Sequence, residues 1–213
     1  MKNKKYLSPI LAGTIFVAIL LLDLLTKEFI IKGLIPNVGD AVDVFPKFIN
    51  FVYVKNTGAA WGMLAGRPIF LIVISLLVLG LLLAYYILRI KKLGGKTSVL
   101  FGISVGLIVG GCLGNMIDRI FLGYVRDFIN FQFMNFPVFN FADVALTIGT
   151  IIMLVYFLFF FSKEEEKLKK QNSLADDHGQ ENISLSNVTP LEAPSQEEGK
   201  QDASAEEGEE NER

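Results

Sequence analysis

The sequence lacks most of the side chains from which hydrolases build catalytic sites. Its one histidine, His178, lies in a polar C-terminal segment, and no His-Glu-x-x-His sequence occurs, which argues against a histidine-ligated zinc protease. Its one cysteine, Cys112, can form no intrachain disulfide, and without a nearby histidine it is better explained as a small packing residue than as a nucleophile. Ser75 and Ser104 have no base near them in sequence. Carboxylates are the catalytic groups that remain.

Acidic residues are also scarce outside the C-terminal segment. Residues 1–162 contain seven acids, whereas residues 163–213 contain fifteen acids against six bases, a net charge of −9. This last segment is rich in Glu, Ser, Gln and Asn and has no aromatic residue, which predicts a disordered acidic cytoplasmic tail. We therefore expect a membrane-embedded domain over residues 1–162 and a tail over residues 163–213, whose composition favours a solvated extension over a regulatory element.

Apolar residues form long runs in the first domain. Hydrophobic residues make up 52% of the chain and the mean hydropathy is +0.45. Four runs can each cross about 30 Å of hydrocarbon as a helix; they cover about 9–31, 68–88, 98–117 and 141–161. The first is too long for a signal peptide and lacks a small-residue cleavage site, so we expect it to remain as an anchor. The sequence predicts an all-α membrane protein with four transmembrane helices.

Two connecting segments and one helix carry further signals. Between helices 1 and 2, β-favouring runs such as 48–54 lie between glycine and proline breaks, which predicts a small extracytoplasmic β-sheet or loop region. The Phe-rich connection 121–140 predicts an aromatic segment at the membrane interface. Helix 3 has glycines at a spacing of four, a pattern that lets transmembrane helices pack closely; they are Gly102, Gly106, Gly110 and Gly114.

The distribution of charge predicts the orientation of the chain. Eleven basic residues flank one set of helix ends and six flank the other. By the positive-inside rule, both termini are then cytoplasmic. The seven acids of the first domain lie towards or beyond the opposite helix ends, so any chemistry they perform faces outwards. These acids are Asp23, Glu28, Asp40, Asp43, Asp118, Asp127 and Asp143.

Three aspartates lie between or within apolar runs. A carboxylate there is energetically unfavourable, so its presence indicates a functional or structural role. Asp118 follows Asn115 by one helical turn at the end of helix 3, and Asp127 lies in the Phe-rich connection. Asn140 is a suitable N-cap for helix 4, which places Asp143 in the first turn, where the helix dipole favours an anion. Because helices 3 and 4 are antiparallel neighbours, the three carboxylates can converge at one depth.

Two carboxylates in a low-dielectric site do not both ionise easily, so one keeps a proton while the other acts as a base. Such a pair can activate water against an amide carbonyl. The spacing leaves open which two aspartates pair, and it leaves open a structural role as helix caps and arginine partners. In helix 1, Asp23 and Lys27 lie on one face at i and i+4 and can form an ion pair. A structural role for this pair, which lowers the cost of charge where the helix leaves the membrane, is an equal alternative to a functional role.

Five motifs resemble those of the lipoprotein signal peptidases, also called signal peptidase II. In order, they are Asp23-x-x-Thr26-Lys27, Asn56-Thr57-Gly58-Ala59-Ala60, Gly110-Gly111-Cys112-x-Gly114-Asn115-x-x-Asp118-Arg119, Val125-Arg126-Asp127-Phe128 and Phe139-Asn140-x-Ala142-Asp143. They follow the family's order and spacing from residue 6 to about 161. The resemblance implies a bacterial four-helix membrane aspartyl protease that removes signal peptides from prolipoproteins, cutting just before a diacylglyceryl-modified cysteine.

The resemblance also implies roles for individual residues. Asp127 and Asp143 fall on the family's catalytic pair. The residues that would support the site or touch the substrate are Asp23, Lys27, Asn56, Gly58, Asn115, Asp118, Arg119 and Asn140. Leu24, Cys112 and Arg126 depart from the Gln, Ala and Val that many members carry. The expected partners are lipidated prolipoprotein signal peptides and membrane lipid, with no nucleic acid, metal or organic cofactor, for a monomer in the bacterial cytoplasmic membrane.

Two other classes of function remain open from the residues. Membrane-embedded aspartates also serve as ion relays in transporters, although no ionisable residue lies near the centre of helices 2, 3 or 4. A non-catalytic assembly subunit is the third possibility, and it would tolerate isosteric Asp-to-Asn changes.

Overall fold

The computed structural model describes residues 6–59, 62–170 and 173. The helices and strands are, in chain order, α1 (Leu7–Gly33), β1 (Ala41–Phe45), β2 (Ile49–Asn56), α2 (Pro68–Lys92), α3 (Val99–Leu122), β3 (Val125–Phe131) and α4 (Phe141–Phe159). They all lie in one compact unit, Met1–Lys169. The four helices are long and apolar enough to cross a membrane, which confirms the predicted fold class.

α3 runs one turn beyond the apolar stretch that predicted it, to Leu122 rather than to about residue 117. The additional turn carries Asp118 and Arg119, whose charges mark a boundary in the sequence pattern. Asp118 is only 1% exposed and is held by two cations, so its charge is accommodated inside the protein. Gly123 then ends the helix with φ of 80°, a left-handed conformation that glycine adopts without steric cost.

α3 packs between α1 and α4, and its glycines permit the close approach. A Cβ atom at Gly106 would lie 2.6 Å from the carbonyl oxygen of Ala12 in α1, and one at Gly110 would lie 2.8 Å from the Cβ of Ile19. From the other side, a Cβ at Gly149 of α4 would lie 2.9 Å from the Cβ of Leu107. No side chain fits at these distances, so the predicted small-residue packing of helix 3 is confirmed.

One apolar core lies among the four helices, around the fully buried ring of Phe101. This ring stacks on Tyr156 with centroids 4.7 Å apart and meets Tyr86 edge-on at 5.1 Å. Many large apolar side chains elsewhere on the helices stay exposed, among them Leu25, Leu77 and Leu154. Apolar outer faces of this kind suit a helix bundle whose solvent is hydrocarbon.

The strands form a three-stranded antiparallel sheet in the order β1-β2-β3. Its third strand lies in the connection 121–140, where the sequence predicted an aromatic segment at the membrane interface but no strand. The alternation that would reveal a strand is absent, because Val125, Asp127, Phe128 and Ile129 are all buried. Phe128 and Ile129 join Ile35 in a second apolar cluster next to the end of α1.

The sequence places the start of the tail at Lys163, but residues 161–170 are helical. The reason is a set of ion pairs that the composition does not reveal, in which Glu164 and Glu165 bind Arg89 of α2. Apart from Ser173, the rest of the predicted tail lies outside the described residues.

Candidate active site

Polar side chains from five elements meet where the helix bundle adjoins the sheet, and we call this region the sheet end. The residues that the sequence predicts for the site are all found here. They are Asp23 and Lys27 of α1, Asn56 and Gly58 at the end of β2, Asn115, Asp118 and Arg119 of α3, Asp127 of β3, and Asn140 and Asp143 at the start of α4. Hydrogen bonds and ion pairs link them into one network.

Asn140 fixes the start of α4 as its N-cap. Its side-chain oxygen accepts a hydrogen bond from the backbone N–H of Asp143 at 3.0 Å, and the Asp143 carboxylate accepts one from the backbone N–H of Asn140 at 3.1 Å. This reciprocal pair is a capping box, which satisfies two backbone donors that the helix leaves free. The cap also fixes the Asp143 carboxylate at the helix terminus.

The amide nitrogen of Asn140 points the other way, towards Asp127, and donates to its Oδ1 at 2.7 Å. Asn56 donates to the second oxygen of Asp127 at 2.9 Å, and Asn115 donates to Asp143 Oδ1 at 2.7 Å. Each carboxylate oxygen of Asp127 and Asp143 therefore has one neutral N–H donor. In the described part of the chain, no cation forms an ion pair with either carboxylate.

Asp127 is deeply buried, with 1% of its surface exposed, whereas Asp143 is partly exposed. Burial raises the pKa of Asp127 to about 7, and the neighbouring charge of Asp143 adds to the increase. Hydrogen bonds from Asn56 and Asn140 and the charge of Lys27 act in the opposite direction but do not cancel it. This carboxyl group can therefore gain or lose a proton near neutral pH.

The other two buried aspartates have cationic partners. Lys27 Nζ lies 2.7 Å from Asp23 and 3.2 Å from Asp118, and it donates to the side-chain oxygen of Asn115 at 3.1 Å. The lysine is completely buried, and its charge faces two carboxylates and one amide oxygen. Asp118 also binds Arg126 at 2.8 Å. Asp118 is therefore held in ion pairs and is distinct in its surroundings from Asp127 and Asp143.

Asp23 connects α1 to the start of α4. Its Oδ1 accepts a hydrogen bond at 3.1 Å from the backbone N–H of Ala142, one of the donors that a helix N-terminus leaves unsatisfied. Gly114 makes room for this contact, because a Cβ atom there would collide with the Asp23 carboxylate. The sequence predicts Gly114 only as a packing residue. Its second task depends on α1 facing α3 at this level, which spacing along one helix does not reveal.

The segment after β2 brings a backbone carbonyl to the site. Asn56 accepts a hydrogen bond from the N–H of Gly58 at 2.9 Å, and Arg119 donates to the carbonyl oxygen of Gly58 at 2.8 Å. Gly58 has no space for a side chain, since a Cβ would lie 2.8 Å from the carbonyl oxygen of Met63. Ala60 of the same motif lies outside the described residues.

Sequence reasoning missed Glu28, which binds Arg126 from α1 at 3.1 Å. A glutamate near the end of a hydrophobic helix gives little sign of a partner about a hundred residues away. Among the described residues, no group of three or more His, Cys, Asp or Glu side chains is placed to hold a metal ion. The arrangement at the sheet end is suited to proton transfer between two carboxyl groups and a substrate.

Comparison with known proteins places these features in context. A family model described as Signal peptidase (SPase) II matches residues 15–159, a range that includes the whole network. The lipoprotein signal peptidase of Staphylococcus carnosus is 41% identical over 157 residues, which cover 73% of this chain and 93% of the relative. That of Listeria welshimeri is 39% identical over 144 residues, covering 67% and 89%.

A solved structure described as a bacterial membrane enzyme, obtained by the in meso method at 2.3 Å resolution, has a similar fold. The TM-score is 0.60 at 33% sequence identity, and the match covers 69% of this chain and 87% of the other. A second bacterial membrane enzyme structure at 1.9 Å gives a TM-score of 0.59 at 32% identity, over 70% and 93% of the two chains.

Proposed function

Because this chain belongs to the signal peptidase II family, we propose that it is a membrane aspartyl endopeptidase acting on prolipoproteins. It removes the signal peptide from diacylglyceryl-modified precursors by cutting just before the lipidated cysteine. Asp127 and Asp143 are the catalytic pair, and the remaining polar residues of the sheet end hold them in place. No metal or organic cofactor takes part.

The observation that carries this proposal is the contrast among the four buried or partly buried aspartates. Asp23 and Asp118 form ion pairs with Lys27, and Asp118 forms a second one with Arg126. Asp127 and Asp143 have neutral amide donors and share Asn140 between them. The pKa of about 7 for Asp127, raised by burial and by Asp143, suits a group that transfers protons at physiological pH.

The reaction begins with one carboxyl group of the pair ionised and the other protonated. The carboxylate takes a proton from water as its oxygen attacks the scissile carbonyl carbon, and the acid donates its proton to the carbonyl oxygen. The tetrahedral intermediate then collapses as the C–N bond breaks and the amine of the lipidated cysteine receives a proton from the pair. The two groups titrate together, so neither is assigned a fixed role.

The surrounding residues position rather than react. Asn140 sets the spacing of the pair, because one side chain holds the backbone of Asp143 and the carboxylate of Asp127. Asn56 and Asn115 orient one carboxylate each. Arg119 holds the carbonyl oxygen of Gly58 through a hydrogen bond, and the signal peptide would pass between the sheet and the helix ends. The lipid of the substrate would lie against the bilayer.

We also propose that the site faces outwards from the bacterial cytoplasmic membrane, with both termini in the cytoplasm. The support is the count of basic residues along the sequence, eleven flanking one set of helix ends and six flanking the other set, which is the set next to the sheet. Labelling of single cysteines on a Cys112→Ala background by an impermeant thiol reagent tests this orientation. Lys47→Cys should react from outside intact spheroplasts, and Lys96→Cys should not.

The decisive experiment is a cleavage assay with purified protein in lipid, using a prolipoprotein with and without its diacylglyceryl group. We expect cleavage of the lipidated form only, and loss of at least about 10²- to 10⁴-fold in rate in Asp127→Asn and in Asp143→Asn. Normal cleavage by Asp127→Asn would reject the assignment of the pair and make Asp118 the candidate. No cleavage by well-folded wild-type protein would favour a transporter or an assembly subunit.

A further inference from the structure

We infer that Arg126 is a positioning residue for the proposed reaction, because it ties strand β3, and with it Asp127, to α1 and α3. This inference rests on the proposed function. Arg126 precedes Asp127 in β3, and among the described residues its N–H groups donate to Asp118 and Glu28 rather than to the Asp127 or Asp143 carboxylate. Its influence must therefore pass through the backbone it anchors and the charges it balances.

Arg126 binds Asp118 through both its backbone and its side chain. The backbone N–H of Arg126 donates to Asp118 Oδ2 at 3.0 Å, Nη2 donates to Oδ1 at 2.8 Å, and Nε donates to Oδ1 at 3.2 Å and to Oδ2 at 3.3 Å. A guanidinium group fixes a carboxylate in one plane through such paired bonds, which an ammonium group cannot do. Since the backbone of Arg126 takes part as well, the position of the strand is fixed together with the side chain.

A further contact joins Arg126 to a third element. Its Nη1 donates to Glu28 of α1 at 3.1 Å. On the other edge of β3 lies β2, where Val54 pairs with Asp127 and Lys55 with Arg126. A shift of β3 by a few tenths of an ångström would lengthen the 2.7 Å and 2.9 Å bonds that orient Asp127. Arg126 opposes such a shift at the start of β3, while the bridge between Ile129 and Phe139 holds the strand further along.

The charges around Asp118 give Arg126 a second effect. Asp23 and Asp118 share Lys27, so without Arg126 two buried acids would face one lysine. The charged groups acting on Asp127 are Asp143 from α4, Lys27 from α1 and Arg119 from α3. A surplus negative charge behind Lys27 would oppose ionisation of the catalytic pair. Loss of Arg126 should therefore move the pH dependence of cleavage to higher pH.

The test compares Arg126→Met, Arg126→Lys and the control Lys55→Met in the cleavage assay, with kcat expressed per folded enzyme. Lys55 is the cross-strand partner of Arg126 and is exposed, so its change removes one positive charge from the same place on the sheet without touching Asp118. We expect Arg126→Met to lower kcat about 10- to 100-fold with little change in KM, as expected for a misplaced catalytic group. Its pH profile should move to higher pH.

Arg126→Lys restores the charge but not the paired hydrogen bonds to Asp118. Its pH profile should therefore return to that of the wild type, while kcat recovers only in part. Lys55→Met should match the wild type in both respects. Wild-type kcat and pH profile in Arg126→Met, even with a lower unfolding temperature, would overturn the inference and leave the proposed function intact. If Arg126→Met does not fold, full kcat in Arg126→Lys has the same meaning. A wild-type protein that cleaves nothing would reject both.

Discussion

Two ionic clusters lie at opposite ends of the helix bundle, and both bury an arginine or lysine. At the end away from the sheet, Arg89 is 4% exposed and binds Glu164 at 3.1 Å and Glu165, while Lys92 binds Glu165 at 3.1 Å. Tyr156 donates a hydrogen bond to Glu164 at 2.9 Å. Both of these glutamates face a cation. At the sheet end, only two of the four aspartates do.

The difference shows that burial and ion pairing do not by themselves mark a reactive site. A carboxylate beside a cation is stabilised in its charged form. The cluster around Arg89 is therefore suited to holding α2 against the residues that follow α4. A carboxylate held by neutral amides in a buried site stays close to its protonated form. The kind of partner, rather than the number of charges, distinguishes the two ends.

The largest expected effect is on cleavage activity, which should depend on the sheet end and not on the opposite end. Asp127→Asn should lower the cleavage rate by at least about 10²- to 10⁴-fold, because an amide can neither accept nor donate the proton. The same acid-to-amide change at the other end, Glu165→Gln, is the control and should leave the rate per folded enzyme unchanged. Comparable losses in both variants would show that the two ends do not differ in their importance for cleavage.

Removal of the buried lysine should have the next largest effect, on stability. Lys27→Met leaves Asp23 and Asp118 without their shared cation, and breaking a buried ion pair in this way costs about 3–5 kcal/mol. Thermal unfolding in one detergent measures the loss. Lys32→Met is the matched control, because that lysine is 75% exposed in its pair with Glu28 and should contribute at most about 1 kcal/mol. Equal shifts for the two lysines would contradict a buried ionic network.

The pH dependence of stability should also distinguish the sheet end from the opposite end. The pKa of Asp127 in the folded protein, about 7, lies above its ordinary value of 3.8, so between about pH 4 and 7 the folded state holds a proton that the unfolded state has lost. The free energy of unfolding should therefore fall through this window as pH rises, by on the order of 1.4 kcal/mol per pH unit from this group. Asp127→Asn should remove this contribution, and unfolding scans at several pH values measure it. Identical slopes in the two proteins would argue against the raised pKa.

The smallest effect concerns the end away from the sheet. Arg89→Met removes the partner of two glutamates that are only partly exposed, and we expect a loss of about 1–3 kcal/mol in unfolding free energy. Cleavage per folded enzyme should stay at the wild-type level, because Arg89 has no contact with the sheet end. A fall in kcat without a fall in stability would show that this end is coupled to the proposed catalytic pair.

Much of the fold follows from local pattern. The apolar runs predict the four helices, and Gly102, Gly106 and Gly110 predict the close packing of α3, because these signals depend on residues near in sequence. Strand β3 was missed because both of its faces are buried, which removes the alternation that marks a strand. The first turns after α4 were assigned to the tail because their pairing with Arg89 joins residues more than seventy positions apart.

By itself, the sequence predicted the four membrane helices, indicated aspartates as the candidate reactive groups and, through the motifs, pointed to the family to which the chain belongs. It could not separate Asp118 from Asp127 and Asp143 by spacing, since all three lie near the ends of neighbouring elements. Only the tertiary structure decided which side chain each aspartate meets. The physical reason is that the state of a carboxylate depends on the charge, donors and water within a few ångströms, and those neighbours come from α1, β2 and α4, far apart along the chain.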